Sequence, residues 1–211
     1  MPIKIIIADD HTIVREGLKQ ILNETQDIVV ADEAGNGREL LKKLREGHYD
    51  AVVLDISMPG LNGLDALKQI KSIEPDLPVL ILSMHPEEQY AVRVLRAGAS
   101  GYITKESASD ELIHAVRIIV KGRKYISQTV AEKLVLELSA DKEKLLHEAL
   151  SDREYQVLCL IASGKTVTEI AGDLFLSVKT ISTYRTRILQ KMHMNNNAQL
   201  TQYAVQNGLI D

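Results

Sequence analysis

Short runs of β-branched residues alternate with longer amphipathic stretches along the first 121 residues. Ile3-Lys4-Ile5-Ile6-Ile7-Ala8, Ala51-Val52-Val53-Leu54, Val79-Leu80-Ile81-Leu82 and Gly101-Tyr102-Ile103-Thr104 have strand length, and the middle two are apolar throughout. Unbroken apolarity is what a strand covered on both faces requires. The pattern predicts strands at about 3–8, 27–32, 51–55, 79–83 and 101–104, with helices near 12–23, 37–46, 63–73, 87–97 and 107–121. Five strand–helix units in this order predict an α/β fold, a doubly wound five-stranded parallel sheet over residues 1–121.

From Gly122 the pattern changes. Ser127 is placed to cap a short helix carrying Val130, Leu134 and Leu138, and the mixed charges of Asp141-Lys142-Glu143-Lys144 follow. Residues 122–147 read as a partly helical linker. Residues 148–211 then predict a second, smaller all-α domain of four close-set helices. Ser151 with Glu154 and Thr166 with Glu169 are capping boxes, and Ser163-Gly164 ends the helix between them. Ser177 starts a third helix running to about Met192, and Asn195–Asn197 a last one ending near Gly208.

Composition adds exclusions. With 45% hydrophobic and 26% charged residues among 211, the chain matches ordinary globular proteins. Its apolar runs are too short to span a membrane, and its N-terminus lacks the features of a secretory signal. The single cysteine, Cys159, rules out an internal disulfide framework and suits a reducing, cytoplasmic setting. Cys159 sits in an apolar helical pattern and reads as core. The net charge of −4 hides an asymmetry: residues 1–122 balance at −5, residues 150–211 at +1, and no carboxylate occurs from Leu174 to Ile210. Each half therefore suits different partners.

In an open parallel sheet, ligands sit just beyond the strand C-termini. There the first strand ends in Asp9-Asp10, the third in Asp55, the fourth in Ser83 and the fifth in Lys105. Singly, each has a plain structural reading; Asp10, for instance, is placed to cap the first helix. Together they read as a Mg²⁺-assisted phosphoryl acceptor. Asp55 is the nucleophile, provided the repulsion between anions is offset. Asp9 and Asp10 would hold Mg²⁺, a hard ion that prefers oxygen ligands, and Lys105 adds a second cation. Ser83 is placed to donate to a phosphoryl oxygen. Met58-Pro59-Gly60 forces a loop that leaves the Ser57 carbonyl able to face the metal.

These residues, with Asn62-Gly63 and Ala97-Gly98-Ala99-Ser100-Gly101-Tyr102, resemble the receiver domain of two-component response regulators. The resemblance implies phosphotransfer to Asp55 from the phosphohistidine of a sensor histidine kinase. It implies direct Mg²⁺ ligation by Asp10, Asp55 and the Ser57 carbonyl, with Asp9 partly through water. It also makes Ser83 and Tyr102 a switch pair, in which Tyr102 turns inward behind Ser83; static core packing of Tyr102 is the other reading.

The third helix of the second half has two faces. Ile181, Ile188 and Met192 recur at helical spacing with Tyr184 beside them, while Lys179, Ser182, Thr183, Thr186 and Arg187 lie opposite, with Arg185 and Lys191 nearby. Cations suit DNA phosphates, and hydroxyls and Arg suit base edges. Leu150-Ser151-Asp152-Arg153-Glu154, Glu169-Ile170-Ala171 and Leu176-Ser177-Val178-Lys179-Thr180-Ile181 resemble the LuxR-type helix-turn-helix, and the two halves together resemble the NarL/FixJ family. That implies a homodimer on double-stranded DNA. Lys179, Ser182, Thr183 and Thr186 would point into the major groove, and Thr180, Arg185, Arg187 and Lys191 would mainly hold phosphates. Two positions depart from the family pattern: Gln156 stands where an acid is frequent, and Gly172 falls inside a helix, at a cost of about 1 kcal/mol against Ala. The last helix presents Leu200, Tyr203, Ala204 and Val205, which either form the dimer contact or close the small core.

The expectation is a cytoplasmic transcription factor controlled by phosphorylation, with no dedicated enzymatic turnover. The rival is a phosphohydrolase using an aspartyl-phosphate intermediate. Such enzymes usually carry a second Asp two residues beyond the nucleophile, where this chain has Ser57.

Overall fold

A computed structural model describes residues 1–139 and 145–210, and the charge run from Asp141 to Lys144 lies outside the described residues. The chain forms two compact units, residues 1–135 and 136–211.

In the first unit, strands β1 (Ile3–Ala8), β2 (Ile28–Ala34), β3 (Ala51–Asp55), β4 (Val79–Ser83) and β5 (Gly101–Thr104) alternate with helices α1 (Thr12–Asn23), α2 (Gly37–Glu46), α3 (Gly63–Ile73), α4 (Glu87–Arg96) and α5 (Ala108–Ile119). All strand pairs are parallel, in the order β2-β1-β3-β4-β5. The apolar stretches β3 and β4 are buried at every residue, as their unbroken patterning requires. Ile5, Ile7, Val53, Leu80, Leu82 and Ile103 pack with Leu18 and Leu22 of α1 and with Leu112, Val116 and Ile119 of α5 on one sheet face. Alternation sends Ile6, Val52, Leu54 and Ile81 to the other face.

Two elements differ from the sequence expectation. β2 runs through Asp32 and on past the expected end to Glu33 and Ala34. As an edge strand it accommodates the two acids: Asp32 pairs with Lys43 at 2.7 Å and Glu33 with Lys19 at 2.7 Å. The start of the presumed linker is the second difference. Tyr125 lies alongside β5 in a parallel bridge to Gly101. Its N–H donates to the Ser100 carbonyl (2.9 Å) and its carbonyl accepts from Tyr102 N–H (3.4 Å). The Tyr125 hydroxyl donates to Glu111 at 2.9 Å. This one-residue sixth rung covers the β5 edge, which would otherwise be open for pairing. A lone Tyr in a polar stretch leaves no alternating pattern to announce it. Helix α6 (Gln128–Ser139) follows, with Ser127 Oγ accepting from Val130 N–H, and it spans the boundary of the two units.

The second unit contains a short 3-10 turn (Leu146–Ala149) and helices α7 (Asp152–Ala162), α8 (Val167–Asp173), α9 (Val178–Lys191) and α10 (Asn197–Gln206). Both capping boxes form. Ser177 and Asn196 cap α9 and α10, and Gly164 ends α7 in a left-handed conformation. Val157, Leu158, Ile161, Ile170, Ile181, Ile188, Met192, Leu200 and Ala204 make the core, with Cys159 buried as expected.

A Cβ at Gly101 would fall 2.8 Å from the Tyr125 carbonyl and 3.0 Å from Leu80 Cδ1. Gly101→Ala should therefore cost about 1–3 kcal/mol in chemical denaturation, by forcing Tyr125 off the edge. At Gly172 an added Cβ would meet nothing within 4 Å. Gly172→Ala should stabilise the second unit by about 0.5–1 kcal/mol in the same measurement.

Candidate phosphoacceptor site and DNA interface

The strand order reverses between β2-β1 and β3-β4-β5, which opens a crevice at the C-terminal ends of β1 and β3. Register places the site there, with Ala8 opposite Leu54 and Asp55 opposite Leu82. Asp9 and Asp10 thus leave β1 beside Asp55 at the tip of β3. Gly63 lets α3 begin against this tip, because any Cβ would sit 2.0 Å from the Asp55 carbonyl. Asn62 caps the same helix by accepting from Asp65 N–H.

Asp9, Asp55 and Ser83 are buried. Lys105 Nζ lies 2.6 Å from Asp9 Oδ2 and 3.1 Å from Asp55 Oδ2, so one ammonium bridges two carboxylates from the far edge of the sheet. Burial pushes the Asp55 carboxyl up to about 6; Lys105 opposes this rise and the Asp9 charge adds to it. Burial works against the Lys105 charge, but Asp55 and Asp9 outweigh it and hold the ammonium above its ordinary value. Lys105 therefore stays protonated.

Asp9, Asp10, Asp55 and Lys105 come together, and the structure adds two residues beyond those expected. His11 Nδ1 lies 3.0 Å from Asp10 Oδ1 and 3.2 Å from Asp9 Oδ1. Its place directly after Asp9-Asp10 was the available signal. Arg15 Nη1 donates to the Asp9 carbonyl at 2.7 Å and its Nε to Glu33 at 3.1 Å, fixing the turn that carries the acids. Asp10 does not cap α1; His11 occupies that position. Ser57 is half-buried in the loop after β3, followed by buried Met58.

Ser83 Oγ accepts from His85 N–H at 3.0 Å, and the Tyr102 hydroxyl donates to the His85 carbonyl at 2.8 Å. Both ends of the His85 backbone are thus gripped by the expected switch pair. Tyr102 is buried here.

Ligand atoms of Asp9, Asp10, His11 and Asp55 all lie within 4.8 Å of one another. Asp55 Oδ1 is buried without a hydrogen-bond partner, while Asp9 Oδ2 and Asp55 Oδ2 share the one ammonium of Lys105. Oxygen donors crowded around one point, with a single ammonium among three acids, fit a hard divalent cation such as Mg²⁺.

In the second unit, Lys179, Ser182, Thr183, Thr186 and Arg187 are exposed on α9, with Thr180 half-buried beside them. Ser177, Lys179, Thr180, Thr183, Tyr184 and Arg187 line a shallow depression. Two residues expected to hold phosphates also bond within the unit. Lys191 Nζ lies 2.6 Å from Glu154, a buried member of the α7 capping box, and so ties the end of α9 to the start of α7. Arg185 Nε donates to Asn197 Oδ1 at 2.6 Å, at the start of α10. The proposed dimer contact also needs correction. Leu200 and Ala204 are fully buried within their own unit, because α10 must close a core that three short helices leave open. Tyr203 is half-buried and its hydroxyl meets His147 Nδ1 at 2.9 Å. What α10 leaves exposed is Asn197, Ala198, Gln199, Gln202, Val205 and Gln206. Gln156 is buried, its Oε1 accepting from Arg153 at 2.6 Å.

A doubly wound sheet with an acid cluster and lysine at its switch point, joined to a helix-turn-helix unit, defines a receiver coupled to a DNA-binding module. The family described as "Response regulator receiver domain" matches residues 5–117, and "Bacterial regulatory proteins, luxR family" matches residues 148–204. The response regulator UvrY of Escherichia coli K12 is 35% identical over 210 residues, covering 99% of this chain and 96% of UvrY. The oxygen regulatory protein NreC of Staphylococcus carnosus is 40% identical over 215 residues, covering 99% of each chain. Among solved structures, RcsB of Salmonella enterica serovar Typhimurium, bound to a promoter in the presence of phosphomimetic BeF3−, matches with a TM-score of 0.60 and 31% identity. That match covers 96% of this chain and 98% of RcsB. The chain belongs to the NarL/FixJ family of two-component response regulators. Among the described residues, no helix is long and apolar enough to cross a membrane.

A carboxyl raised by burial costs stability as it ionises, since the native state binds the proton more tightly than the unfolded chain. Without divalent cations, the contribution of Asp55 to stability should fall by roughly 3 kcal/mol as pH rises from about 4 through 6. Thermal melts of Asp55→Asn should lack that slope and lie above wild type at neutral pH. Saturating Mg²⁺ should raise the melting temperature of wild type by mass action and leave Asp55→Asn nearly unmoved.

Proposed function

We propose that Asp55 accepts a phosphoryl group from the phosphohistidine of a sensor histidine kinase, and that the phosphorylated chain regulates transcription as a DNA-bound dimer. The observation that carries this reading is the buried Asp55–Lys105–Asp9 arrangement in a chain similar along its length to response regulators. An Asp55 carboxylate oxygen attacks phosphorus as the bond to the imidazole nitrogen breaks, and the imidazole leaves with its electron pair. Lys105 is positioned to follow the charge from the free carboxylate to a phosphoryl oxygen. Asp9, Asp10 and Asp55, with the Ser57 carbonyl, would hold Mg²⁺, which supplies neutralisation of the phosphoryl charge when bound. Ser57 brings no carboxylate to activate water, so the phosphoryl group is stored rather than turned over.

Readout follows from the grip on His85. When the Ser83 hydroxyl turns to donate to a phosphoryl oxygen, it releases His85 N–H, while Tyr102 still holds the carbonyl. The turn between β4 and α4 then shifts, and the surface from about 84 to 121 with it, biasing two preformed states. On this reading the chain works in the cytoplasm, where the kinase's phosphohistidine and the chromosome are within its reach. RcsB structures described as two dimers bound to two DNAs and as a promoter complex with BeF3− support the dimeric, phosphorylation-linked part of the reading.

DNA binding of Asp55→Ala, with and without a small phosphodonor, tests the proposal. Wild type should gain affinity with the donor and the variant should not. A variant that keeps the full response would remove Asp55 from the mechanism.

A further inference from the structure

Resting on the DNA-binding reading, the geometry points to Thr183 and Thr186 as readers of A·T pairs. Both are exposed on α9, three residues apart and so on one face. Neither hydroxyl hydrogen faces outward: Thr183 Oγ1 donates to the Lys179 carbonyl at 2.9 Å, and Thr186 Oγ1 donates to the Ser182 carbonyl at 3.0 Å. This back-bonding fixes χ1 in side chains that already have few rotamers. Each threonine therefore presents a γ-methyl and an oxygen lone pair, with its donor spent.

That offer selects among base pairs. In the major groove an A·T pair shows the thymine methyl and the adenine N6 amino donor, while guanine shows two acceptors, N7 and O6. A methyl and a lone pair complement the first and leave the second unsatisfied. Cytosine also offers an amino donor but has no methyl to pack against. Thr183 shares its depression with Lys179 and Arg187, exposed cations that can seat the phosphates while the threonine meets a base edge. Lys179, one turn before Thr183, remains the donor on this face for a guanine.

The test uses the full chain, treated with a small phosphodonor, to select from a randomised DNA duplex library; the best duplex is then remade with deoxyuridine at each thymidine in turn. We expect A·T pairs at two adjacent or near-adjacent positions of each half-site, and about a fourfold loss of affinity when the thymine methyl is removed at either. Thr183→Ser and Thr186→Ser should reproduce that loss and become insensitive to deoxyuridine at one position each. Thr183→Val and Thr186→Val, which keep a methyl but lose the lone pair, should stay sensitive to deoxyuridine and lose less affinity than the Ser variants. Deoxyuridine duplexes that bind as tightly as the thymidine duplex would overturn the inference. So would Ser variants that bind normally while Val variants fail, since the hydroxyl would then be the reader. Failure to enrich any duplex would instead overturn the DNA-binding reading itself.

Discussion

Three carboxylates from two adjacent strands are held against each other at the end of a buried sheet, and the first unit is organised around tolerating them. Unpaired charge in such a place is costly, and Lys105 offsets part of it by reaching from β5 to Asp9 and Asp55. The remainder is left unsatisfied, visible in Asp55 Oδ1, which is buried without a hydrogen-bond partner, and in the raised Asp55 carboxyl. A site that is strained until a cation or a phosphoryl group arrives is suited to switching. The same frustration that lowers stability gives the incoming ligand a large differential effect on the two states.

The sheet extends this influence outward. Ser83 and Tyr102 grip His85 from β4 and β5, and Tyr102 N–H also bonds the Tyr125 carbonyl. The residue that senses the site is therefore in backbone contact with the segment leading into α6. Glu111 of α5 holds the Tyr125 hydroxyl, and Glu87 of α4 accepts from Ser127 N–H at 3.3 Å. The α4, β5 and α5 surface and the start of α6 are thus physically one assembly within the first unit.

In the second unit the economy of a small core decides which side chains remain for DNA. Buried Glu154 needs a counter-charge and takes Lys191, and Arg185 is spent on the start of α10. Leu200 and Ala204 are consumed in closing the core. The face that remains, from Lys179 to Arg187, is polar, exposed and free of carboxylates.

Much of this was legible in the sequence because local rules governed it. Strands β3 and β4 announced themselves by unbroken apolarity, both capping boxes by their spacing, and the acids and Lys105 by falling at strand ends of a fold whose ligand crevice is set by topology. What sequence could not fix were contacts between residues distant in the chain with no periodic signature. Tyr125 joins the sheet because Gly101 leaves room for its backbone. Arg15 and His11 serve the acid cluster because α1 starts where β1 stops. Lys191 pairs with Glu154 because α9 ends over α7. Periodicity tells which side of a helix is apolar, but whether Leu200 meets its own core or a second chain depends on how much surface the neighbouring helices leave uncovered, and only the packed structure decides that.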